Sequence, residues 1–75
     1  MYHTIEFTTE FTGDREISRK QPLERVLFKI GTQVPVQLRP YVVEAEDGPV
    51  EVADLFFEDG TATRQVPFSY FRFVA

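Results

Sequence analysis

The chain has 75 residues, a net charge of −4 and no cysteine. This length accommodates one domain, residues 1–75, and the lack of cysteine excludes disulfides and cysteine-ligated zinc sites. Hydrophobic residues form 43% of the chain and aromatic residues 15%, which is typical of a globular domain stabilised by an apolar core.

The charges are unevenly distributed. Five of the eight basic residues lie between residues 15 and 29: Arg15, Arg19, Lys20, Arg25 and Lys29. Residues 40–63 carry no base and seven acids: Glu44, Glu46, Asp47, Glu51, Asp54, Glu58 and Asp59. Because nucleic-acid binding depends on neutralising phosphates, the net negative charge disfavours a general nucleic-acid binder.

Residues 2–11 alternate between two faces, and one face carries Ile5, Phe7 and Phe11. This period of two predicts a half-buried strand. Gly13 and its neighbours at 12–14 then predict a turn, and the polar residues 15–21 predict a surface loop.

Residues 22–30 fit two structures. As a helix they place Leu23, Val26, Leu27 and Ile30 on one stripe, with Pro22 in the first turn. As a strand they place Val26, Phe28 and Ile30 inward, which explains Phe28 better. The helix is the preferred prediction, although nine residues form a helix only with support from packing.

From residue 34 onward the pattern becomes extended. Pro35 and Pro40 cannot donate an amide, so this stretch is predicted to be a sheet edge or a bent strand. Asp47-Gly48 lies between two β-rich segments and predicts a hairpin. A two-residue turn at these positions pairs Val43 with Val52 and Glu44 with Glu51.

A second hairpin is predicted at residues 58–60, with Gly60 in the left-handed region of a three-residue loop. That loop places Asp54 opposite Arg64 and Val52 opposite Val66. A two-residue loop would instead shift the register by one and turn these side chains to the other face. An aromatic strand is predicted after Val66-Pro67, over residues 68–74.

The stretch Val66-Pro67-Phe68-Ser69-Tyr70-Phe71 resembles the closing segment of SH3-like barrels, in which a 3₁₀ turn precedes the last strand. The resemblance implies a small-barrel topology. The fold class predicted is therefore mainly β: a small antiparallel sheet or an SH3-like half-open barrel of about four or five strands, with one short helix at 22–30.

The predicted core combines the inward positions of these elements. Its members are Ile5, Phe7, Phe11, Leu23, Val26, Leu27, Ile30, Val43, Val52, Phe56, Val66, Phe71 and Phe73.

Catalytic and metal-binding motifs are not apparent. His3 is the sole histidine, the four glycines are dispersed, and Asp54, Glu58 and Asp59 do not fit the spacing of a calcium loop. The sequence predicts no enzymatic activity, no metal and no cofactor. The polar beginning of the chain predicts neither a signal peptide nor a membrane-spanning segment, so a cytoplasmic protein is expected.

The leading functional hypothesis is a small acidic protein-interaction or regulatory module that uses a sheet edge and the acidic hairpin. Seven residues are predicted to contact the partner: Glu44, Glu46, Asp47, Glu51, Asp54, Phe68 and Tyr70. One alternative is a nucleic-acid mimic that inhibits a DNA- or RNA-handling enzyme. A second is nucleic-acid binding through residues 15–29. The sequence is also compatible with a homo-oligomer.

Overall fold

The computed structural model describes residues 1–16 and 23–74 and is mainly β. Its elements in chain order are β1 (His3–Phe7), β2 (Phe11–Arg15), β3 (Glu24–Phe28), β4 (Gln33–Ala45), β5 (Gly48–Phe57), β6 (Ala62–Pro67), a 3₁₀ turn (Phe68–Tyr70) and β7 (Phe71–Phe73). Across the described ranges, no helix is both long and apolar enough to cross a membrane.

The strands form two antiparallel sheets. Five strands pair in the order β6-β5-β4-β1-β7, and β2 pairs with β3. Two reciprocal backbone hydrogen bonds connect the end of β2 to the start of β6. The Glu16 amide donates to the Ala62 carbonyl at 2.7 Å, and the Ala62 amide donates to the Glu16 carbonyl at 3.1 Å. The two sheets pack against each other without closing into a barrel.

The first strand confirms the predicted alternation, because Ile5 and Phe7 are fully buried. The strand ends at Phe7 rather than at residue 11, and β2 begins at Phe11. The turn predicted at residues 12–14 is wrong, since all three lie within β2. A Cβ atom on Gly13 would lie 3.3 Å from the Cγ2 atom of Thr63 in β6, so the glycine allows the two sheets to approach closely.

The surface loop predicted at residues 15–21 is wrong for its first two residues. Arg15 ends β2 and Glu16 bridges to Ala62, while the remaining residues of the predicted loop, 17–21, lie outside the described ranges.

The helix predicted at residues 22–30 is wrong over its described part. Residues Glu24–Phe28 form β3, which pairs with β2 through Phe11 opposite Phe28 and Gly13 opposite Val26. Phe28 is buried, whereas Leu23, Leu27 and Ile30 are 58%, 50% and 64% exposed. Burial of Phe28 against the first sheet therefore outweighs the local helical pattern, which has little stability in so short a segment. Residue 22 lies outside the described ranges.

The β4–β5 hairpin forms, but its turn lies one residue earlier than predicted. Ala45 pairs with Gly48, so Glu46 and Asp47 occupy the turn, and Val43 faces Val50 rather than Val52. Gly48 carries the positive φ, +116°, and among the described non-glycine residues only Gln65 has one. The turn is therefore not of type I′, because that type needs positive φ at both of its central residues.

The β5–β6 hairpin has the predicted three-residue loop. The Phe57 amide donates to the Thr61 carbonyl at 2.9 Å, and Gly60 has a φ of +88°. Leu55 faces Thr63 as that loop requires, but beyond it the register shifts by one residue. The predicted pairing of Val52 with Val66 is therefore wrong: Val52 faces Pro67.

The register shift is a bulge at Gln65, whose φ is +60°. Left-handed backbone costs a non-glycine residue roughly 1–2 kcal/mol. We therefore expect Gln65→Gly to raise the free energy of unfolding by about 0.5–1 kcal/mol, the gain being reduced by the greater entropy of glycine in the unfolded chain. Urea denaturation measures it. A Gln65→Ala variant controls for loss of the side chain, and an equal gain there would show that backbone strain is not the cause.

The buried core overlaps the predicted one in five residues: Ile5, Phe7, Val52, Val66 and Phe71. Four predicted members are half-buried: Phe11, Val26, Val43 and Phe56. Four more are exposed by half or more: Leu23, Leu27, Ile30 and Phe73. The core also contains hydrophobic residues that were not predicted: Phe28, Val36, Ala53, Leu55, Phe57 and Ala62. The interior face of β5 thus carries Ala53, Leu55 and Phe57, the opposite face from the one predicted.

Candidate protein-interaction surface

The long strand β4 has an edge that is paired over only part of its length. It pairs with β1 from Gln33 to Val36 and with β5 from Val36 to Ala45. Residues 37–45 therefore have β5 on one side and, within the described ranges, no strand on the other. Of the two structures predicted for the stretch around Pro40, a sheet edge or a bent strand, the sheet edge is the one observed. We call this stretch the β4 edge.

The direction of the peptide groups along the β4 edge follows from the ladder. The Phe7 amide donates to the Thr32 carbonyl at 3.0 Å. In an antiparallel pair the bonding residues alternate, so the even-numbered residues of β4 direct their N–H and C=O groups toward the β1 side. Beyond Val36 these groups belong to Leu38, Pro40, Val42 and Glu44.

Proline placement agrees with this alternation. Pro40 lacks an amide at a position that faces away from β5, so it removes no bond from the β4–β5 ladder. Pro35 faces the other way, but β5 pairing begins only at Val36. Both prolines are accommodated, and three amides remain directed outward from the β4 edge, those of Leu38, Val42 and Glu44.

Four of the predicted site residues cluster around the turn between β4 and β5. Glu46 and Asp47 form the turn, and Glu44 and Glu51 lie on its two strands. All four are exposed, and within residues 1–16 and 23–74 none of them forms an ion pair. We call them the hairpin acids.

The predicted face-to-face pair of Glu44 and Glu51 is wrong. Glu44 faces Pro49 and Glu51 faces Val42, because the turn occupies residues 46–47. The two glutamates are instead diagonal neighbours on one face, at the separation of roughly 7–8 Å typical of such positions. This spacing reduces their repulsion and leaves both carboxylates directed to the same region of solvent.

Asp54 was predicted to contact a partner, but the structure buries it on the opposite face of the hairpin. It is 4% exposed. Its carboxylate accepts hydrogen bonds from the Tyr41 hydroxyl at 2.8 Å, the Gln65 amide at 3.0 Å and the Arg64 guanidinium at 3.1 Å. The predicted proximity of Asp54 and Arg64 is confirmed.

Burial alone would raise the pKa of the Asp54 carboxyl. The hydrogen bonds from Gln65, Tyr41 and Arg64 outweigh that effect and hold its pKa below the ordinary value. The same contact with Asp54 raises the pKa of Tyr41. Asp54 is thus an ionised structural group that holds the bulge at Gln65, and it is not accessible to a partner.

Phe68 and Tyr70, both in the 3₁₀ turn, are half-buried and pack against the core. The 3₁₀ turn implied by the SH3-like resemblance follows Pro67, so the strand predicted over residues 68–74 is wrong over Phe68–Tyr70 and confirmed over Phe71–Phe73. Phe68 lines a shallow cavity of about 260 Å³ together with Pro40, Val42 and Glu51. The structure therefore brings Phe68 next to Glu51, one of the hairpin acids.

Tyr70 is directed elsewhere, since its ring packs 5.0 Å from that of Phe11. Val42 was not among the predicted site residues, although it is 58% exposed and lines the cavity. Its signal was the even-numbered run of apolar residues from Leu38 to Val42 that flanks Pro40.

The basic residues do not form one open cationic surface in the described ranges. Arg15 pairs with Asp59 at 2.6 Å, and Arg25 pairs with Asp14 at 3.6 Å. Arg19 and Lys20 lie outside the described residues. His3 packs edge-on against Phe73 with 6.0 Å between ring centroids, and the described residues contain no group of three or more His, Asp or Glu side chains arranged to hold a metal ion.

No protein-family model, curated protein sequence or solved structure matches this chain.

Proposed function

We propose that the protein is a small interaction module that binds a basic, extended segment of a partner protein along the β4 edge. The observation that carries this proposal is the coincidence, at one end of the molecule, of an apolar cavity, four exposed carboxylates and a strand edge that no described strand covers. An added strand gains main-chain hydrogen bonds at such an edge, and side-chain pockets provide its specificity.

The outward amides of Leu38, Val42 and Glu44 supply the donors for an added strand. Pro40 interrupts this series, so the strongest pairing is expected at Val42 and Glu44. There the cavity bounded by Val42 and Phe68 accepts an apolar side chain of the partner. Because side chains alternate along a strand, the partner residue two positions away lies on the same face and is directed toward Glu44 or Glu51.

Charge favours a basic partner over a second copy of this chain at the β4 edge. Two copies paired antiparallel about Val42 would bring Glu44 and Glu51 of each copy onto one face near the symmetry axis. In that arrangement Glu44 of one copy would lie opposite Pro40 of the other, so the four carboxylates would repel one another through longer-range electrostatics, and charged side chains commonly protect exposed edges from self-pairing. Lysine or arginine at these positions would instead attract the hairpin acids and increase the association rate.

The charge test uses a panel of extended peptides that alternate Lys or Arg with Val, Ile or Leu. For a peptide that binds, we expect Glu44→Lys combined with Glu51→Lys to reduce the association rate about tenfold at low salt. Stopped-flow fluorescence measures the rate, and the reduction should shrink as salt rises. The control Glu10→Lys combined with Glu58→Lys has the same net charge, with both exposed acids away from the hairpin tip. An equal reduction in the control would show that net charge, and not this site, attracts the peptide.

The edge itself is tested by Val42→Pro, which removes an outward amide and adds no charge. Because Pro40 already occupies an equivalent position, this substitution is compatible with the β4–β5 ladder. Bound peptide should protect the amides of Val42 and Glu44 from hydrogen exchange in the natural protein, and Val42→Pro should weaken binding. Failure of every basic peptide in the panel to bind would contradict the proposed function.

The two alternatives receive less support from the geometry. A nucleic-acid mimic needs its acids on one face, but Asp54 is buried on the other face of the hairpin and Asp59 lies at the other end of β5, paired with Arg15. Nucleic-acid binding through residues 15–29 needs available cations, and Arg15 and Arg25 are both engaged by carboxylates.

The SH3-like half-open barrel remains part of this proposal as an architecture. It is supported by the 3₁₀ turn after Pro67 and by the backbone bridge between Glu16 and Ala62, which connects the two sheets.

A further inference from the structure

A second cavity lies at the opposite end of the β4–β5 pair, where β3 faces the ends of the five-stranded sheet. Its volume is about 300 Å³, at the lower end of the range for small-molecule sites. Its apolar wall includes the rings of Phe7, Phe28 and Phe57 and the side chains of Val26 and Val34. The rings of Phe28 and Phe57 lie nearly parallel, at an angle of 11° with centroids 6.3 Å apart.

The charges around this cavity are positive. Among the described residues, its lining contains Arg15 and Lys29 and no acid, in a chain whose net charge is −4. Arg15 is already neutralised by Asp59 at 2.6 Å, and its guanidinium lies 5.1 Å from the centre of the Phe57 ring. Within residues 1–16 and 23–74, Lys29 forms no ion pair. Lys29 therefore provides the uncompensated cation at the cavity.

An apolar cavity with one available ammonium group suits an amphipathic anion. The aromatic and aliphatic walls favour transfer of an apolar body from water, and the ammonium group attracts a carboxylate at the mouth. We propose that this cavity binds a small monocarboxylate with an aromatic or short aliphatic body, whose carboxylate lies against Lys29.

This site is independent of the β4 edge. The two cavities share no lining residue, and they lie at opposite ends of β4 and β5. A ligand here would contact both sheets, through Phe28 of β3 and Phe57 of β5. Its binding is therefore also expected to raise the thermal stability of the protein.

The experiment compares phenylbutyrate with phenylbutanol, a neutral compound with the same apolar body. NMR titration of the full chain follows the amide shifts of residues around the cavity, including Val26, Lys29 and Thr32. We expect saturable shifts there with phenylbutyrate, and affinity for phenylbutanol that is weaker by about threefold or more, the magnitude of a partly exposed ion pair.

Two matched variants, one directly after β3 and one within it, identify the cation. Lys29→Gln is expected to weaken phenylbutyrate binding by about threefold. Arg25→Gln removes a cation that is 73% exposed and does not line the cavity, and it should leave the affinity unchanged. Equal binding of the neutral compound, an equal loss in Arg25→Gln, or shifts that map away from the cavity would each overturn the proposal. None of these outcomes bears on peptide binding at the β4 edge.

Discussion

Asp54→Asn is expected to lower the free energy of unfolding by about 3 kcal/mol. The carboxylate is buried and accepts from three donors, so the amide side chain would present an N–H₂ group to at least one of them. Most of the lost stability arises from the weakened hydrogen bonds of the Gln65 amide and the Tyr41 hydroxyl. Arg64 contributes less, because its side chain is 47% exposed and can bind water instead. Urea denaturation at about pH 7 measures the change.

The control for this substitution is Asp47→Asn, an exposed acid in the neighbouring turn. It should change the stability by less than about 0.5 kcal/mol. A similar loss in both variants would show that the Asp54 hydrogen bonds are not the cause.

The pH dependence of the same variant gives a second test. The pKa of Asp54 is lower in the folded protein than its ordinary value of 3.8. Its ionised form therefore contributes stability above that ordinary value, and the contribution is lost as the pH falls through the folded pKa. The difference in stability between the natural protein and Asp54→Asn should accordingly shrink below about pH 4. A difference that stays constant through this range would contradict the assignment.

Phe28→Ala is expected to lower the free energy of unfolding by about 3–5 kcal/mol. Phe28 joins the two sheets: its ring centroid lies 5.1 Å from that of Phe7 in β1 and 4.9 Å from that of Phe11 in β2. Because a domain of this size has a small stability margin, Phe28→Leu serves as a milder variant, with an expected loss of about 1–1.5 kcal/mol. Hydrogen exchange should show faster opening of β2 and β3 than of β4 and β5.

Leu27→Ala is the matched control on the same strand, with an expected loss below about 1 kcal/mol because Leu27 is half exposed. A helix over residues 22–30 would reverse this order, since the helical stripe contains Leu27 and omits Phe28. A larger loss for Leu27→Ala than for Phe28→Ala would contradict the β3 strand.

Some features of the fold and site could be predicted from local patterns. Alternation identified β1 with Ile5 and Phe7 inside, and Gly60 identified the three-residue loop, because both signals depend on neighbouring residues alone. Pro40 indicated the sheet edge for a similar reason, since proline lacks the amide that an interior strand requires. The hairpin acids were visible as a charge run in the same stretch.

Other features could not be predicted in this way. Asp47-Gly48 indicated a hairpin, but the positive φ fell on Gly48 alone, and the turn moved by one residue. The bulge at Gln65 depends on a carboxylate eleven positions earlier, and that contact removed Asp54 from the predicted interface. Each of these outcomes depends on pairing between strands rather than on the preference of a short segment.

Local chemistry thus established a small β-rich domain with two hairpins, an acidic turn and a proline-marked edge. Long-range packing established which side of each strand is buried. Because side chains alternate along a strand, a choice of register exchanges its interior and exterior faces, and the burial of Phe28 also selected strand over helix for β3. Among the strands of residues 1–16 and 23–74, none pairs with the β4 edge, because β1 pairs only as far as Val36, while β4 and β5 continue to Ala45 and Gly48. That difference in strand length placed an open edge beside the hairpin acids.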